Sequence, residues 1–201
     1  MTNKLIVGSE EWCSLSGLGL PAIKARVDSG AATSSLHAFN IVPFQRDGEL
    51  WISFEVHPLQ NDRSVVVRHE APVLEQRSVR NTSGISENRY VIREELVLGE
   101  QRWPIELTLT NRDAMGYRML LGREAMVGRV LVDPEGSHQL GDVEPAQLEA
   151  MYAALRTERT GLRIALLASD PELYSNRRLM EAGEERGHRM EFLNVKQCYM
   201  P

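Results

Sequence analysis

Apolar and polar residues alternate along several short segments in the first two thirds of the chain. The clearest alternation covers residues 50–56 and is typical of a strand that buries one face. Residues 89–98 and 103–109 flank Gly99 and Glu100, so they predict a long hairpin that turns at the glycine. Many short strands separated by turn signals predict a closed β-barrel or a sandwich.

The pattern changes after residue 140. Residues 142–155 predict a helix, and residues 157–161 predict a linker. Residues 162–168 form a continuous apolar run of the kind found in buried parallel strands. A helix start at Asp170 and a further apolar segment at 190–193 complete one βαβ unit.

Three segments follow from these patterns. We predict a mainly β domain at residues 1–140, a helix and linker at 141–161, and an incomplete βαβ unit at 162–201. One βαβ unit of about forty residues cannot bury both faces of its strands. The sequence therefore predicts that the chain stops inside a second, longer domain.

Composition and charge exclude several classes of function. The apolar fraction of 42% and charged fraction of 25% are ordinary, and the net charge of −5 leaves no basic footprint for nucleic acid. The sequence has no apolar stretch of the roughly twenty residues that a membrane span needs. Its two cysteines, Cys13 and Cys198, do not suggest a disulfide framework. We expect a cytoplasmic protein without a nucleic-acid or membrane partner.

The sequence Asp28-Ser29-Gly30-Ala31 carries the strongest candidate chemistry. In aspartic peptidases such a turn places one carboxylate against a second, and glycine lets the backbone come close. Two carboxylates about 3 Å apart share one proton, so one acts as a base and the other as an acid. Taken alone, Asp-Ser-Gly is also an ordinary turn.

A second feature lies downstream, where Leu120 and Leu121 are followed by Gly122 and Arg123. The combination is similar to the two sequence signatures of retropepsins. The similarity implies that this strand passes beneath the turn of Asp28 and supports it. Because the chain holds a single Asp-Ser-Gly sequence, a second copy would have to supply the other aspartate, which predicts a homodimer.

Residues 5–140 resemble the retropepsin-like peptidases described as ATP-dependent zinc proteases, which occur beside or fused to RimK-type ATP-grasp ligases. The shared sequence lies at residues 21–31, 36–39, 56–60, 108–113 and 119–123. The resemblance implies a closed acid-protease barrel with one short helix and an aspartic-type endopeptidase that uses Asp28 from each of two subunits. Residues 162–201 resemble the start of a RimK-type glutamate ligase. That implies such a ligase as a partner and a glutamate-rich peptide or protein tail as substrate.

The histidines do not predict a metal site. The common zinc peptidase motif needs His-Glu-x-x-His on a helix, whereas His69 and Glu70 are followed by Ala71 and Pro72. We therefore expect no metal and no cofactor. His37 is expected to be a hydrogen-bonded strand residue, and contact with substrate stays open as an alternative.

Arginines are frequent in the predicted barrel. They favour a solvated face that alternates with glutamates, but they would suit an acidic peptide if several converged on one cleft. Arg112 is a candidate substrate contact, and the loop at residues 80–86 is a candidate cover. The arginines are Arg68, Arg77, Arg80, Arg89, Arg93, Arg112 and Arg118.

The sequence thus predicts an aspartic-type peptidase. Two alternatives stay open: a non-catalytic barrel that presents substrate to an ATP-grasp glutamate ligase, and a zinc-dependent hydrolase.

Overall fold

The computed structural model of the chain describes residues 4–60, 62–80, 84, 86–112, 115–155, 162–185 and 188–197. The chain forms two compact units, Met1–Arg156 and Thr157–Pro201. The predicted linker at 157–161 and the second cysteine, Cys198, lie outside the described residues. Of the helices that the structure describes, none has the length and apolar character that a membrane crossing requires.

The first unit consists mainly of strands. They are β1 (Leu5–Val7), β2 (Glu10–Leu15), β3 (Leu20–Asp28), β4 (Ser34–His37), β5 (Phe39–Arg46), β6 (Glu49–Val56), β7 (Val67–Pro72), β8 (Glu75–Arg80), β9 (Ser86–Leu98), β10 (Gln101–Thr110), β11 (Met119–Gly122) and β12 (Val130–Val132). The α-helices of this unit are α1 (Arg123–Met126) and α2 (Pro145–Tyr152), and short 3₁₀ turns occur at Ser16–Leu18 and Ala153–Leu155.

Strands of the described residues close into a barrel in the order β10-β4-β11-β3-β2-β9, because β9 also pairs with β10. Strand β8 extends outward from β9. Strands β5, β6 and β7 form a separate sheet, while β1 pairs in parallel with β12. The predicted hairpin is present, with Gln101 opposite Leu98. The predicted fold class, a mainly β retropepsin-like barrel with one short helix, is confirmed.

The core of this unit lies inside the barrel, where alternate residues of the strands point. Burial of one such Leu or Ile side chain contributes about 1.5–3 kcal/mol. Cys13 lies in this core, and burial raises the pKa of its thiol to about 12, with the charge of Glu11 acting in the same direction. Residues without exposed surface in the core include Leu20, Ile23, Leu36, Leu96, Leu107 and Leu121.

Helix α2 is attached to the barrel through Tyr152, which has no exposed surface. Its hydroxyl donates a hydrogen bond to the carbonyl oxygen of Ala22 at 2.6 Å and lies 3.4 Å from the N–H of the same residue. Opposite Ala22, the pairing of β2 with β3 is irregular, because its register shifts from Cys13 to Leu15. The tyrosine therefore satisfies backbone groups that a regular ladder would pair. Burial also raises the pKa of Tyr152.

The second unit contains β13 (Arg163–Ala168), α3 (Tyr174–Glu185), β14 (Arg189–Asn194) and a 3₁₀ turn at Val195–Gln197. The two strands pair in parallel, which confirms the predicted partial βαβ unit. Its strand surfaces stay open to solvent: Leu167 is 59% exposed although its sequence is typical of a buried strand. A single βαβ unit leaves one strand face without a covering layer, which accounts for the exposure.

Candidate functional site

Asp28 is the last residue of β3, and the turn that follows fixes its side chain. Oδ1 of Asp28 accepts hydrogen bonds from the N–H groups of Gly30 at 2.9 Å and Ala31 at 3.1 Å. A Cβ at position 30 would lie 3.2 Å from the same oxygen. The carboxylate is thus held in one orientation by the backbone of its own turn.

Strand β11 lies beside this turn. Gly122 is directly opposite Asp28 in the parallel register of β11 and β3. Its N–H donates to Oγ of Ser34 at 3.0 Å. A Cβ at position 122 would come within 2.5 Å of the carbonyl carbon of Thr33, so the backbones could not approach this closely with any other residue.

Arg123 connects the start of α1 to the same turn. Its Nη1 donates to the carbonyl oxygens of Ser29 at 2.9 Å and Gly30 at 3.4 Å, while its N–H donates to the carbonyl oxygen of Ala31 at 2.8 Å. The structure therefore brings the two sequence features together, with Arg123 holding the outer side of the turn.

A cleft with a volume of about 1280 Å³ opens over the Asp28 turn. Leu120 is half-buried and lines it, whereas Leu121 has no exposed surface and points into the core. Among the described residues, the lining includes the arginines Arg77, Arg80, Arg89, Arg93 and Arg112 and the carboxylates Asp28, Glu106 and Glu124. Arginines outnumber carboxylates by two, so the lining is positive although the chain carries a net charge of −5.

This convergence corrects the interpretation that the sequence favoured, a solvated face of alternating arginines and glutamates. Five of the seven arginines lie around one cleft. The other two lie elsewhere: Arg68 is exposed and pairs with Glu55 at 2.7 Å, and Arg118 is buried and donates to the carbonyl oxygen of Leu59. The sequence alone does not separate these groups, because which arginines meet depends on how the strands pair.

Of the five described cleft arginines, Arg112 alone is buried, with 8% of its surface exposed. Its Nε donates to the carbonyl oxygen of Tyr117 at 3.1 Å, and its Nη1 donates to Oγ of Ser35 at 3.0 Å. Burial lowers the pKa of Arg112, the charge of Arg89 lowers it further, and Asp28 acts in the opposite direction. Arginine still stays charged, so Arg112 is a fixed, partly desolvated cation beside another cation.

Arg77, by contrast, is already surrounded by carboxylates. It pairs with Glu75, with Glu106 at 2.6 Å and with Glu124 at 3.9 Å. The hydrogen bond to Glu106 is the main reason that the pKa of Arg77 is raised, and the bond to Glu75 adds to it. Its charge is therefore largely neutralised within the protein.

His37 has no exposed surface and lies behind the cleft rather than in its lining. Its Nδ1 accepts a hydrogen bond from the N–H of Arg112 at 3.0 Å, and its Nε2 lies 3.4 Å from Nδ1 of His57. The alternative of a direct substrate contact by His37 does not agree with this burial. Arg112 does line the cleft.

Within the part of the chain that the structure describes, no group of three His, Cys, Asp or Glu residues is placed to hold a metal ion. His69 and Glu70 lie in strand β7, so their side chains point to opposite faces of a sheet. Burial lowers the pKa of His69. Of the candidate cover loop, residues 81–83 and 85 lie outside the described residues.

Comparison with known families divides the chain in two. The sequence profile of the RimB-like family, described as "Retropepsin-like aspartic endopeptidase RimB", matches residues 6–139. The profile of the RimK PreATP-grasp domain matches residues 162–201.

Relatives with assigned names cover the whole chain. A protein of Parasynechococcus marenigrum named "Probable alpha-L-glutamate ligase" is 89% identical over 200 residues, which are 100% of this chain and 43% of the relative. A protein of Shewanella halifaxensis with the same name is 58% identical over 198 residues, which are 98% of this chain and 43% of the relative. The chain thus spans less than half the length of these relatives.

A solved structure shares the barrel. It is the protein Lpg0085 of Legionella pneumophila, described as having unknown function, with a TM-score of 0.57 and 27% sequence identity. The match covers 69% of this chain and 99% of that protein.

The names of the relatives overturn the functional prediction made from the sequence. That prediction was an aspartic-type peptidase with an intersubunit Asp28 dyad, but the relatives that cover the chain are named for an α-L-glutamate ligase. These relatives are named as enzymes of the ligase type rather than as endopeptidases, and this chain spans 43% of their length. Neither the two family descriptions nor the names of these relatives support the zinc-protease label. A catalytic role for Asp28 and a homodimer stay predictions.

Proposed function

This chain belongs to the RimB-like family, and we propose that it serves α-L-glutamate ligation by binding glutamate-rich peptide in the arginine-lined cleft of its barrel. The ligase part of the proposal rests on the names of the relatives and on the match of residues 162–201 to a RimK PreATP-grasp domain. A peptide that carries several glutamates presents several carboxylates, and this sets the chemistry that a binding module must recognise.

The observation that carries the proposal is the convergence of arginines on the cleft. Arg77 and Arg89 lie directly opposite each other in the register of β8 and β9, where carboxylates of the protein offset the charge of Arg77. Arg112 is buried in the neighbourhood of Arg89, so these two cations repel each other. Folding therefore places cations together at an electrostatic cost, and an anionic ligand would offset that cost.

Two of the arginines are best suited to hold a carboxylate. Arg77 is already paired with carboxylates of the protein, whereas Arg89 pairs with the exposed Glu87 at 2.8 Å. Because the side chain of Glu87 is 51% exposed, a ligand carboxylate would compete with it for the guanidinium of Arg89. Arg112 is fixed through Nε and Nη1, so its planar fork is pre-organised for a carboxylate.

Isothermal titration calorimetry with acetylated tetraglutamate and tetraglutamine tests the proposal on the 201-residue chain. We expect the glutamate peptide to bind at least about tenfold more tightly, because only carboxylates complement the cleft charge. Raising the salt concentration from about 0.05 to about 0.5 M should weaken this binding. Equal affinities for the two peptides, or no binding of either, would overturn the proposal.

A further inference from the structure

We propose that His37 is a positioning residue, which holds Arg112 in the orientation that binds the carboxylate. The inference rests on the proposed function, because it concerns the same cleft. It does not make His37 a ligand contact, since the imidazole has no exposed surface.

The N–H of Arg112 needs a partner that the sheet does not supply. Strand β10 ends at Thr110, which lies opposite His37 at the end of β4. Arg112 follows two residues later, beyond the ladder, and is itself buried. A buried backbone N–H without an acceptor is destabilising, because it has lost its hydrogen bond to water and gained none in return. Nδ1 of His37, at 3.0 Å, provides that acceptor from 75 residues away in the sequence.

The hydrogen bond also fixes the state of the imidazole. A backbone N–H can only donate, so Nδ1 of His37 must accept and the proton of the neutral ring resides on Nε2. Nε2 faces Nδ1 of His57 at 3.4 Å, and the ring of His57 stacks on Phe39 with 4.2 Å between centroids. His57 therefore contacts the Nε2 side of the His37 ring, while the Nδ1 side of the same ring accepts the hydrogen bond from Arg112.

Arg112 is in this way anchored at three points. The backbone is held by His37, Nε by the carbonyl oxygen of Tyr117, and Nη1 by Oγ of Ser35. If the first anchor is lost, the buried N–H must find another acceptor and the backbone of Arg112 must move. A displacement of this backbone moves the guanidinium away from its position in the cleft. The guanidinium is then no longer pre-organised for a carboxylate.

The test compares two replacements of His37 by their affinity for tetraglutamate. H37L fills similar space without an acceptor and should weaken binding about tenfold. H37N places an amide oxygen near the position of Nδ1 and should recover most of that loss. F54L is the packing control, since Phe54 is a fully buried core residue whose ring contact is with His69 rather than with His37 or His57. It should lower the melting temperature and leave affinity within about twofold.

A double-mutant cycle distinguishes the positioning of Arg112 by His37 from a general destabilisation of the fold. In an R112Q background, H37L should have no further effect on affinity, because the group it positions is gone. The proposal is overturned if H37L weakens binding equally in both backgrounds, if H37N loses as much as H37L, or if H37L binds as the wild type does. Wild-type protein that fails to bind the peptide would instead refute the proposed function.

One measurement needs no variant. The ¹⁵N chemical shifts of His37 in the wild-type protein should show an unprotonated Nδ1 and a protonated Nε2, with slow exchange of the Arg112 amide proton. A protonated Nδ1, or fast exchange of that amide, contradicts the assignment whether or not the peptide binds.

Discussion

The variant R112Q is expected to bind tetraglutamate at least about thirtyfold more weakly than the wild-type chain, a loss of about 2 kcal/mol or more. Arg112 is the one buried cation of the described cleft lining, and its fork is fixed by Ser35 and Tyr117. A glutamine cannot form two parallel charge-assisted bonds to a carboxylate. The measurement is calorimetric titration, with thermal unfolding to confirm that the variant is folded.

The matched control is R102Q, on strand β10 of the hairpin. The side chain of Arg102 is 72% exposed, makes a 3.9 Å contact with Glu95, and does not line the cleft. Its loss should change the affinity by no more than about twofold, as expected for an exposed charge. Equal losses in R112Q and R102Q would show that only overall charge matters, and the assignment of the cleft would then be wrong.

The variant G122A is expected to lose at least about 3 kcal/mol of unfolding free energy, because its new methyl group overlaps backbone atoms. The added Cβ would lie 2.5 Å from the carbonyl carbon of Thr33 and 2.6 Å from its oxygen, and neither can move without shifting β4. Urea denaturation followed by circular dichroism measures the loss. The shift of the Asp28 turn should also weaken peptide binding in whatever fraction stays folded.

G116A serves as the control for this substitution. A Cβ at position 116 meets no atom within 4 Å, and its backbone has an ordinary φ. The variant should therefore stay within about 0.5 kcal/mol of the wild type. If G122A were as stable as G116A, the close approach of β11 to the Asp28 turn would not exist in the folded protein.

The strands and the turn of Asp28 could be predicted because their signals are local. Alternation along residues 89–98 and 103–109, with glycine between them, suffices to predict β9 and β10. The pairing of Asp28 with Gly122 follows from the family resemblance, and its physical basis is a contact that only glycine permits. Alternating patterns of this kind determine which face is buried.

The arginine cleft could not be predicted, because it depends on contacts between strands rather than on local patterns. Whether Arg77 meets Arg89 depends on the register of β8 against β9, and a period of two does not fix how far one strand slides along the other. The bond between His37 and the backbone of Arg112 links distant residues through a loop that has no periodicity. Such contacts follow from the closed barrel as a whole.

The functional prediction was wrong because it equated a fold with a reaction. One carboxylate in a tight turn, together with a glycine-bearing strand, indicates the retropepsin-like barrel correctly. The same barrel can serve another chemistry when its cleft carries different side chains. Here five side chains of the described cleft lining are arginines, and the names of the relatives refer to a ligase.

Arg89 and Arg112 are expected to receive the carboxylates of a glutamate-rich peptide. Titration of tetraglutamate into ¹⁵N-labelled protein, followed through the arginine Nε–Hε resonances, reports on these two side chains individually. The signals of Arg89 and Arg112 should shift with a common saturation curve, while those of exposed Arg102 should not move. Saturable binding that leaves both cleft signals unchanged would contradict this expectation.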